Sequence, residues 1–531
     1  MKSDHEPRLR RNQRQRFQPA MIESKKKSII TDTAAYAAAN YVAQGIGIVN
    51  SILLRRFMGP VSMGIWSLLQ VILGYCGYAS FGTTKAMARD YPFLRGKGQH
   101  AEAERLKDMI LTFSILMSVL PAAGLLGYLA VRGDALDPLF RFGLVFIAVF
   151  LFVQRFYDLV MILLRSDKRF MALSQLIVIN AVGILVVTAL LVHRWNIYGL
   201  FFGTALVTFI CLVFVYKVNP YRFKFYWNTQ ELVRELKLGV PLIATSFLVS
   251  FLKSMDKLII AKRLGFYDLG LYSVAMMAQS YLLSFPMMFA HVWYPNLQEA
   301  YGEREDAKAV KNYLLTPVLI LSVLVPFLAG VVIFALPVVV ELFIPNFVPG
   351  LPAMKVYLIS IFFILLAQFS SCFLVTLDKY LIQIPAVLAS IVLNAVLNLT
   401  FVKMGWGLLG IAWGTTLSFV FYGAAMYVLS LKFVGHWRET MASLGQSMTL
   451  LVLLALATFL IDHWVRYPSL FVAALLKLSI FLILACPCFL YLEKETRLFV
   501  NLRDAFFKKS QPLSGWKVSE TGVDHETQDP A

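Results

Sequence analysis

A few charged and amide side chains stand in stretches of this sequence that are otherwise apolar. Arg155 and Asp158 are three residues apart, as are Lys253 and Asp256, and Lys257 follows one residue later. Spacings of three and four place side chains on one helix face, where opposite charges can pair. Polar groups inside a bilayer are costly, so each is a functional candidate by default. The ammonium of Lys253 could hold a phosphate as a point charge. The structural alternative is a pair with Asp256. Asp256 could orient Lys253, or bind a coupling cation or proton. Arg155 could meet a phosphate, but pairing with Asp158 is the favoured reading.

Two polar stripes accompany these charges. Thr33, Asn40, Gln44, Gly47 and Ser51 fall within about 60° of one another at 100° per residue. Ser246, Ser250, Lys253 and Lys257 share a second face. Such stripes suit helices lining a water-filled cavity, although small and polar residues also mediate helix packing in membranes. Gln70 and Trp66, with Gln279 and Tyr272, stand on faces that could meet a sugar; the two aromatics could equally be interfacial belt residues. His291 reads as a satisfied structural histidine. Lys477 reads as a snorkelling lysine. Lys85 and Arg89 read as topology anchors that could also attract an anionic headgroup.

The elements that must position these residues follow from hydropathy. The chain has 531 residues, 59% hydrophobic and 15% charged, with a mean hydropathy of +0.68. Soluble domains carry about 25% charged residues. The composition predicts an all-α polytopic membrane protein. About 20 apolar residues cross a bilayer, which gives about fourteen spans: 31–54, 61–84, 109–131, 140–164, 170–192, 197–216, 238–261, 268–291, 312–336, 352–377, 380–402, 407–431, 444–465 and 468–491. The boundary near 337–352 is the least defined. The five cysteines (Cys76, Cys211, Cys372, Cys486, Cys488) lie in apolar stretches and read as fillers.

Charge fixes the orientation. With the N-terminus inside, the even-numbered connections carry 20 Lys/Arg and the odd-numbered ones 9 when Arg141, at the edge of the fourth span, is counted with them, Arg55 and Arg56 among them. This is the positive-inside pattern, and it puts both termini in the cytoplasm. The net charge of +18 is spread over tails and alternate loops, which argues against a nucleic-acid partner.

An internal repeat organises the spans. "GPVSMGIWS" (59–67) returns as "GFYDLGLYS" (265–273), pairing Gly59 with Gly265, Gly64 with Gly270, Trp66 with Tyr272 and Ser67 with Ser273. "SDKRF" (166–170) matches "TLDKY" (376–380), read as Asp167 with Asp378 and Lys168 with Lys379. "YGLFFGT" (198–204) matches "LGIAWGT" (409–415). A six-span copy ends on the side where it began, so the two copies insert in the same sense. The predicted organisation is a basic, disordered tail (1–28), an N-lobe of six spans (29–237), a C-lobe of six (238–437), two added spans (438–492) and a C-terminal tail (493–531).

"ILLRRFMGPVSMGIWSLL" (52–69), "SFGTTKAMARDYP" (80–92) and "SMDKLIIAKRLGFYDLGLYSVA" (254–275) resemble the polysaccharide transporter or O-antigen flippase family, within the multidrug/oligosaccharidyl-lipid/polysaccharide (MOP) exporter superfamily. The resemblance covers about residues 30–490. It implies two six-helix lobes around a central cavity, and alternating access in the bacterial inner membrane. The implied cargo is an undecaprenyl-pyrophosphate-linked oligosaccharide. It leads to Asn40, Gln44, Gln70, Arg155, Lys253, Asp256, Lys257 and Gln279 as candidate cargo-facing residues. Membrane lipids, and a polysaccharide polymerase or export protein, are candidate partners, with the monomer as the working unit.

Two other classes stand beside this one. A cation-coupled drug exporter of the same superfamily is the nearer. A membrane glycosyltransferase, polymerase or acyltransferase is the more distant, because the sequence shows no DxD, no phosphate-binding glycine loop and no nucleophile–base cluster. No metal site or cofactor is indicated.

Overall fold

The structure, a computed structural model, describes the backbone of residues 6–218, 221–435 and 437–496. Side chains are described over 35–496, except 219, 220, 242, 285, 288, 291, 292, 304 and 436–444. His291 and the C-terminal tail beyond 496 therefore lie outside the described side chains. Among the described residues there are helices and no strands.

Fifteen α-helices follow in order: α1 (Glu6–Gly77), α2 (Thr83–Gly96), α3 (His100–Arg132), α4 (Pro138–Ser166), α5 (Phe170–Val187), α6 (His193–Val218), α7 (Thr229–Leu252), α8 (Met255–Arg263), α9 (Phe266–Arg304), α10 (Lys311–Phe343), α11 (Leu351–Thr376), α12 (Gln383–Lys403), α13 (Gly407–Val434), α14 (Trp437–Trp464) and α15 (Leu470–Thr496). The basic stretch expected to be disordered continues α1 as helix from Glu6; its Arg, Lys and Gln residues are good helix formers.

Among the described residues, eleven helical stretches are long and apolar enough to cross a membrane. Two of them are double. Ala35–Ser80 breaks at Gly59 (φ 72°, ψ 176°), and Phe170–Val218 breaks at Asn196 (φ 51°, ψ −133°). Counting both as hairpins gives thirteen crossings among the described residues; α9, which covers the expected span 268–291, is not one of the eleven stretches. The chain is a multi-pass membrane protein.

Local chemistry sets several boundaries. Asp137 caps α4, accepting from the backbone N–H of Leu139 (2.8 Å) and Phe140 (3.3 Å), with Pro138 in the first turn. Asn228 caps α7 through Gln230 N (3.0 Å) and Glu231 N (3.4 Å). Both satisfy N–H groups that a helix start leaves open.

The chain forms two compact units, 1–273 and 274–531. The second contains α10 to α15. There α13 packs on both α11 and α12, and α14 and α15 pack on α10. Phe481 of α15 fills the space that a side chain at Gly330 of α10 would need, and its ring stacks on Phe327 at 5.9 Å. Lys477 does not snorkel. It pairs with Asp462 of α14 at 2.8 Å, and Lys355 of α11 takes the other carboxylate oxygen at 2.5 Å.

The repeat is geometric as well as textual. Gly203 packs on Val187 and Gly414 on Asn398, each so closely that a Cβ would collide. These are equivalent contacts between the fifth and sixth spans of each copy. The inner turns correct one pairing. Lys168 and Asp378 both take φ 56°, and the bonds Arg169 N to Leu164 O (2.9 Å) and Lys379 N to Leu374 O (2.8 Å) close the same turn. Lys168 is thus the equivalent of Asp378, not of Lys379.

Candidate functional site

The candidate site is a polar seam in the first unit. It runs between the second limb of α1 (from Pro60 on) and the α7–α8–α9 segment that begins the second repeat.

The two glycines of each outer corner do different work. Gly59 (φ 72°) and Gly265 (φ 98°) make the turns, in a backbone region that side-chain-bearing residues rarely adopt. Gly64 and Gly270 make the contact. A Cβ on Gly64 would collide with the carbonyl of Phe266, and one on Gly270 with the carbonyl of Pro60. The repeated motif therefore closes one end of the seam, backbone on backbone.

Arg55 secures that end. The sequence reading placed it among the outer-loop charges, but it is 6% exposed in the last turns of the first limb of α1. Its Nε donates to Ser273 Oγ at 3.2 Å and its Nη2 to Ser273 O at 2.8 Å. Its Nη1 donates to Ser51 Oγ (2.6 Å) and Ser51 O (2.8 Å). One planar guanidinium thus ties the polar stripe of the first span to the final serine of the second motif. Sequence reasoning missed this because two adjacent arginines before a glycine turn read as a loop.

Further along, the helix of the seventh span breaks. α7 ends at Leu252, and Lys253 and Ser254 separate it from α8. Ser254 Oγ donates to Ser250 O at 2.6 Å, so the hydroxyl of Tyr75 on α1 donates to Ser254 Oγ. Lys257 Nζ donates to the Lys253 carbonyl at 3.1 Å, satisfying an acceptor that the break exposes.

The Lys253–Asp256 pair does not form. Asp256 is 1% exposed. It accepts from Tyr272 Oη at 2.8 Å and from Lys257 N at 2.8 Å. Tyr272, read as a sugar-facing or belt aromatic, is fully buried as that donor. Asp256 is thereby turned away from Lys253. Among the described residues no carboxylate pairs with Lys253, which remains a half-buried ammonium at a helix break.

The other candidates fall elsewhere. Ser246, read as part of a cavity stripe, accepts from Lys85 Nζ at 2.5 Å, and its carbonyl accepts from Tyr78 Oη at 3.2 Å. Both bonds are helix-to-helix contacts. Asn40 donates to Tyr36 O at 2.7 Å within its own helix, and Gln44 is half-buried nearby. Gln70 is exposed. Trp66 lies 5.9 Å from Phe201, ring centre to ring centre. Gln279 belongs to the second unit, where its Oε1 accepts from Tyr357 Oη at 3.0 Å.

Arg155 and Asp158 do not pair either. Asp158 accepts from Gln154 Nε2 at 2.8 Å. Arg155, 7% exposed, donates to Ser118 Oγ at 3.2 Å and to the Cys76 carbonyl. That carbonyl is orphaned because α1 ends at Gly77 and gives way to a 3-10 turn (Tyr78–Ser80). Arg155 acts as its helix cap. Arg89 is mostly exposed and bonds Asp90 at 2.7 Å.

The far end of the seam is closed by a second glycine pair. Gly82 (φ 81°) meets Gly239 of α7, and a Cβ on either would collide with the other's backbone.

Comparison with known proteins fits this architecture. Residues 98–348 match the family model described as "Polysaccharide biosynthesis protein". The chain covers 98% of a structure of the lipid II flippase MurJ in an inward closed conformation, using 86% of its own length, at 13% identity and a TM-score of 0.61. The chain carries the same fold as this flippase. Two further structures of MOP superfamily members, both multidrug-resistance MATE transporters, agree. The outward-facing one matches at 13% identity and TM-score 0.54, with 79% of this chain and 96% of that one covered. The inward-facing one matches at 15% identity and TM-score 0.53, with 77% and 95% covered. No curated protein matches in sequence.

Proposed function

We propose that this protein is a flippase for an undecaprenyl-pyrophosphate-linked oligosaccharide, working by alternating access in the bacterial inner membrane for surface-polysaccharide synthesis. The observation that carries the reading is Lys253. An ammonium at a helix break, one residue past the apolar stretch Thr229–Leu252 and without a carboxylate partner among the described residues, is costly to keep in a membrane unless an anion uses it. A pyrophosphate supplies that anion, and Lys can bind it as a point charge. The polysaccharide-biosynthesis family match and the flippase-like fold support the same cargo class.

In this reading Lys253 meets the pyrophosphate, while Lys257 and Asp256 hold the broken helix and Tyr272 in place. Gln70 faces sugar, with Asn40 and Gln44 beside the path. Arg155 steadies the inner end of the first hairpin. The glycine pairs at the two ends of the seam are the contacts that alternate. Both termini lie in the cytoplasm, the protein works as a monomer, and a polymerase or export protein takes the product on. The chain moves its cargo without making or breaking a covalent bond.

The test is leaflet-resolved mass spectrometry of lipid-linked sugars in cells depleted of the protein. Accumulation of one complete oligosaccharide-pyrophosphate lipid in the inner leaflet, with loss of surface polymer, supports the reading and names the sugar. Unchanged lipid-linked sugars favour the second reading, a cation-coupled small-molecule exporter, which the MATE-like fold also fits. A lipid lacking one sugar or acyl group would instead indicate an enzyme.

A further inference from the structure

The contact between α2 and α7 buries a carboxylate. Leu232, Glu235 and Gly239 are all buried and lie three or four residues apart, so they share one face of α7. Gly239 meets Gly82 at the start of α2. Leu232 packs in the cluster that holds Met87 and Tyr91 of α2. Glu235 stands between them and so faces α2, beside the glycine pair that closes this end of the seam.

Glu235 is 0% exposed. Its Oε1 accepts from Arg234, Nη2 at 3.1 Å and Nε at 3.3 Å. Its Oε2 is buried with no hydrogen-bond partner among the described residues. The charged groups that act on it are Arg234 on its own helix, and Asp90 and Arg89 on α2. Arg234 is 63% exposed and already points to water. Arg89 and Asp90 are bonded to each other, and Lys85 of α2 is engaged by Ser246. A second carboxylate thus lies near a carboxylate with one bare oxygen. Burying the ionised form there is costly, and burying the neutral acid far less so.

We infer that Glu235 is a proton-binding site. It carries a proton on its carboxyl while α2 and α7 are closed on each other. It releases that proton to water when the contact opens and the side chain becomes wet. This deepens the alternating-access reading and rests on it for its consequence: the proton is then the coupling ion. The closed form binds more protons than the open one, so closure is favoured as pH falls and lost as pH rises through the closed-state pKa. One linked proton changes the opening equilibrium by up to about tenfold per pH unit.

The experiment is hydrogen exchange on the full chain in lipid nanodiscs at pH 6 and pH 8, corrected for the intrinsic pH dependence of exchange. Residues 83–96 and 229–240 should be better protected at pH 6, by up to about tenfold per pH unit. Glu235→Gln, a permanent neutral mimic, should hold both segments protected at both pH values. Asp90→Asn should keep the pH response and move it to lower pH, because the neighbouring negative charge no longer helps retain the proton. Equal protection of the wild type at the two pH values would overturn the inference, as would a pH response that survives Glu235→Gln. Should the Gln variant not fold, the wild type and Asp90→Asn still decide. No cargo enters the measurement, so its failure is separate from failure of the flippase reading.

Discussion

Arg55 and Ser273 are joined by two hydrogen bonds, Nη2 to the serine carbonyl at 2.8 Å and Nε to its hydroxyl at 3.2 Å. The bonds link residues 218 apart in sequence. They connect the first span to the eighth beside the closed glycine corner.

Arg55→Ala should therefore destabilise the protein by about 1.5–3 kcal/mol, the range for a hydrogen bond to a charged group. Thermal unfolding in detergent reads this directly. Arg55→Lys should not restore stability, because a single ammonium cannot reproduce the guanidinium fork that reaches both Ser51 and Ser273.

The glycine corner makes a separate prediction. Gly64→Ala and Gly270→Ala each drive a methyl group into a backbone carbonyl. Both should insert normally yet lose surface polymer, since the outer contact cannot close. Gly45→Ala meets nothing within 4 Å and should export normally. Equal loss from all three would show that the corner contact is not what matters.

The broken seventh span predicts a pattern of couplings. A double-mutant cycle of Asp256→Asn with Tyr272→Phe should give a coupling of about 0.5–3 kcal/mol, as for residues in direct contact. The cycle of Lys253→Ala with Asp256→Asn should give a much smaller one, because those two residues are not paired. Lys253→Ala alone should leave stability unchanged or slightly raised, since it removes a charge that no carboxylate among the described residues compensates.

One carboxylate, Asp462 of α14, ties α14 to both α11 and α15. Asp462→Asn leaves the ammoniums of Lys355 and Lys477 facing each other without their shared partner. Breaking a buried pair costs about 3–5 kcal/mol. Asp462 is 26% exposed and solvent screens part of that, so a loss nearer 1–3 kcal/mol is expected. Asp462→Asn/Lys477→Met should recover part of it. Proteolysis of the connection between α14 and α15 would report the loosening.

Much of this was legible in the sequence, for identifiable reasons. Long apolar runs specify crossings almost without tertiary help, so most of the spans were readable, including the hairpin hidden inside the α1 run. Glycine spacing announced the repeat, because backbone turns and close approaches tolerate few other residues. Partner choice was not readable. Lys253 with Asp256, and Arg155 with Asp158, have ideal helical spacing and still do not pair. The helix break at Lys253–Ser254 turns Asp256 toward Tyr272. The helix end at Gly77 offers Arg155 an orphan carbonyl instead. Arg55 was missed because Arg56 beside it made the two look like loop charges before a glycine turn, and Glu235 was not singled out because nothing in its local sequence sets it apart from other helix-surface carboxylates.

The most direct test uses cells whose only copy carries Lys253→Ala, with leaflet-resolved mass spectrometry of pyrophosphate-linked oligosaccharides and a parallel check of membrane insertion. The account predicts a correctly inserted protein, a complete lipid-linked oligosaccharide trapped in the inner leaflet, and no surface polymer. Normal delivery of that lipid to the outer leaflet by the Lys253→Ala protein would contradict it.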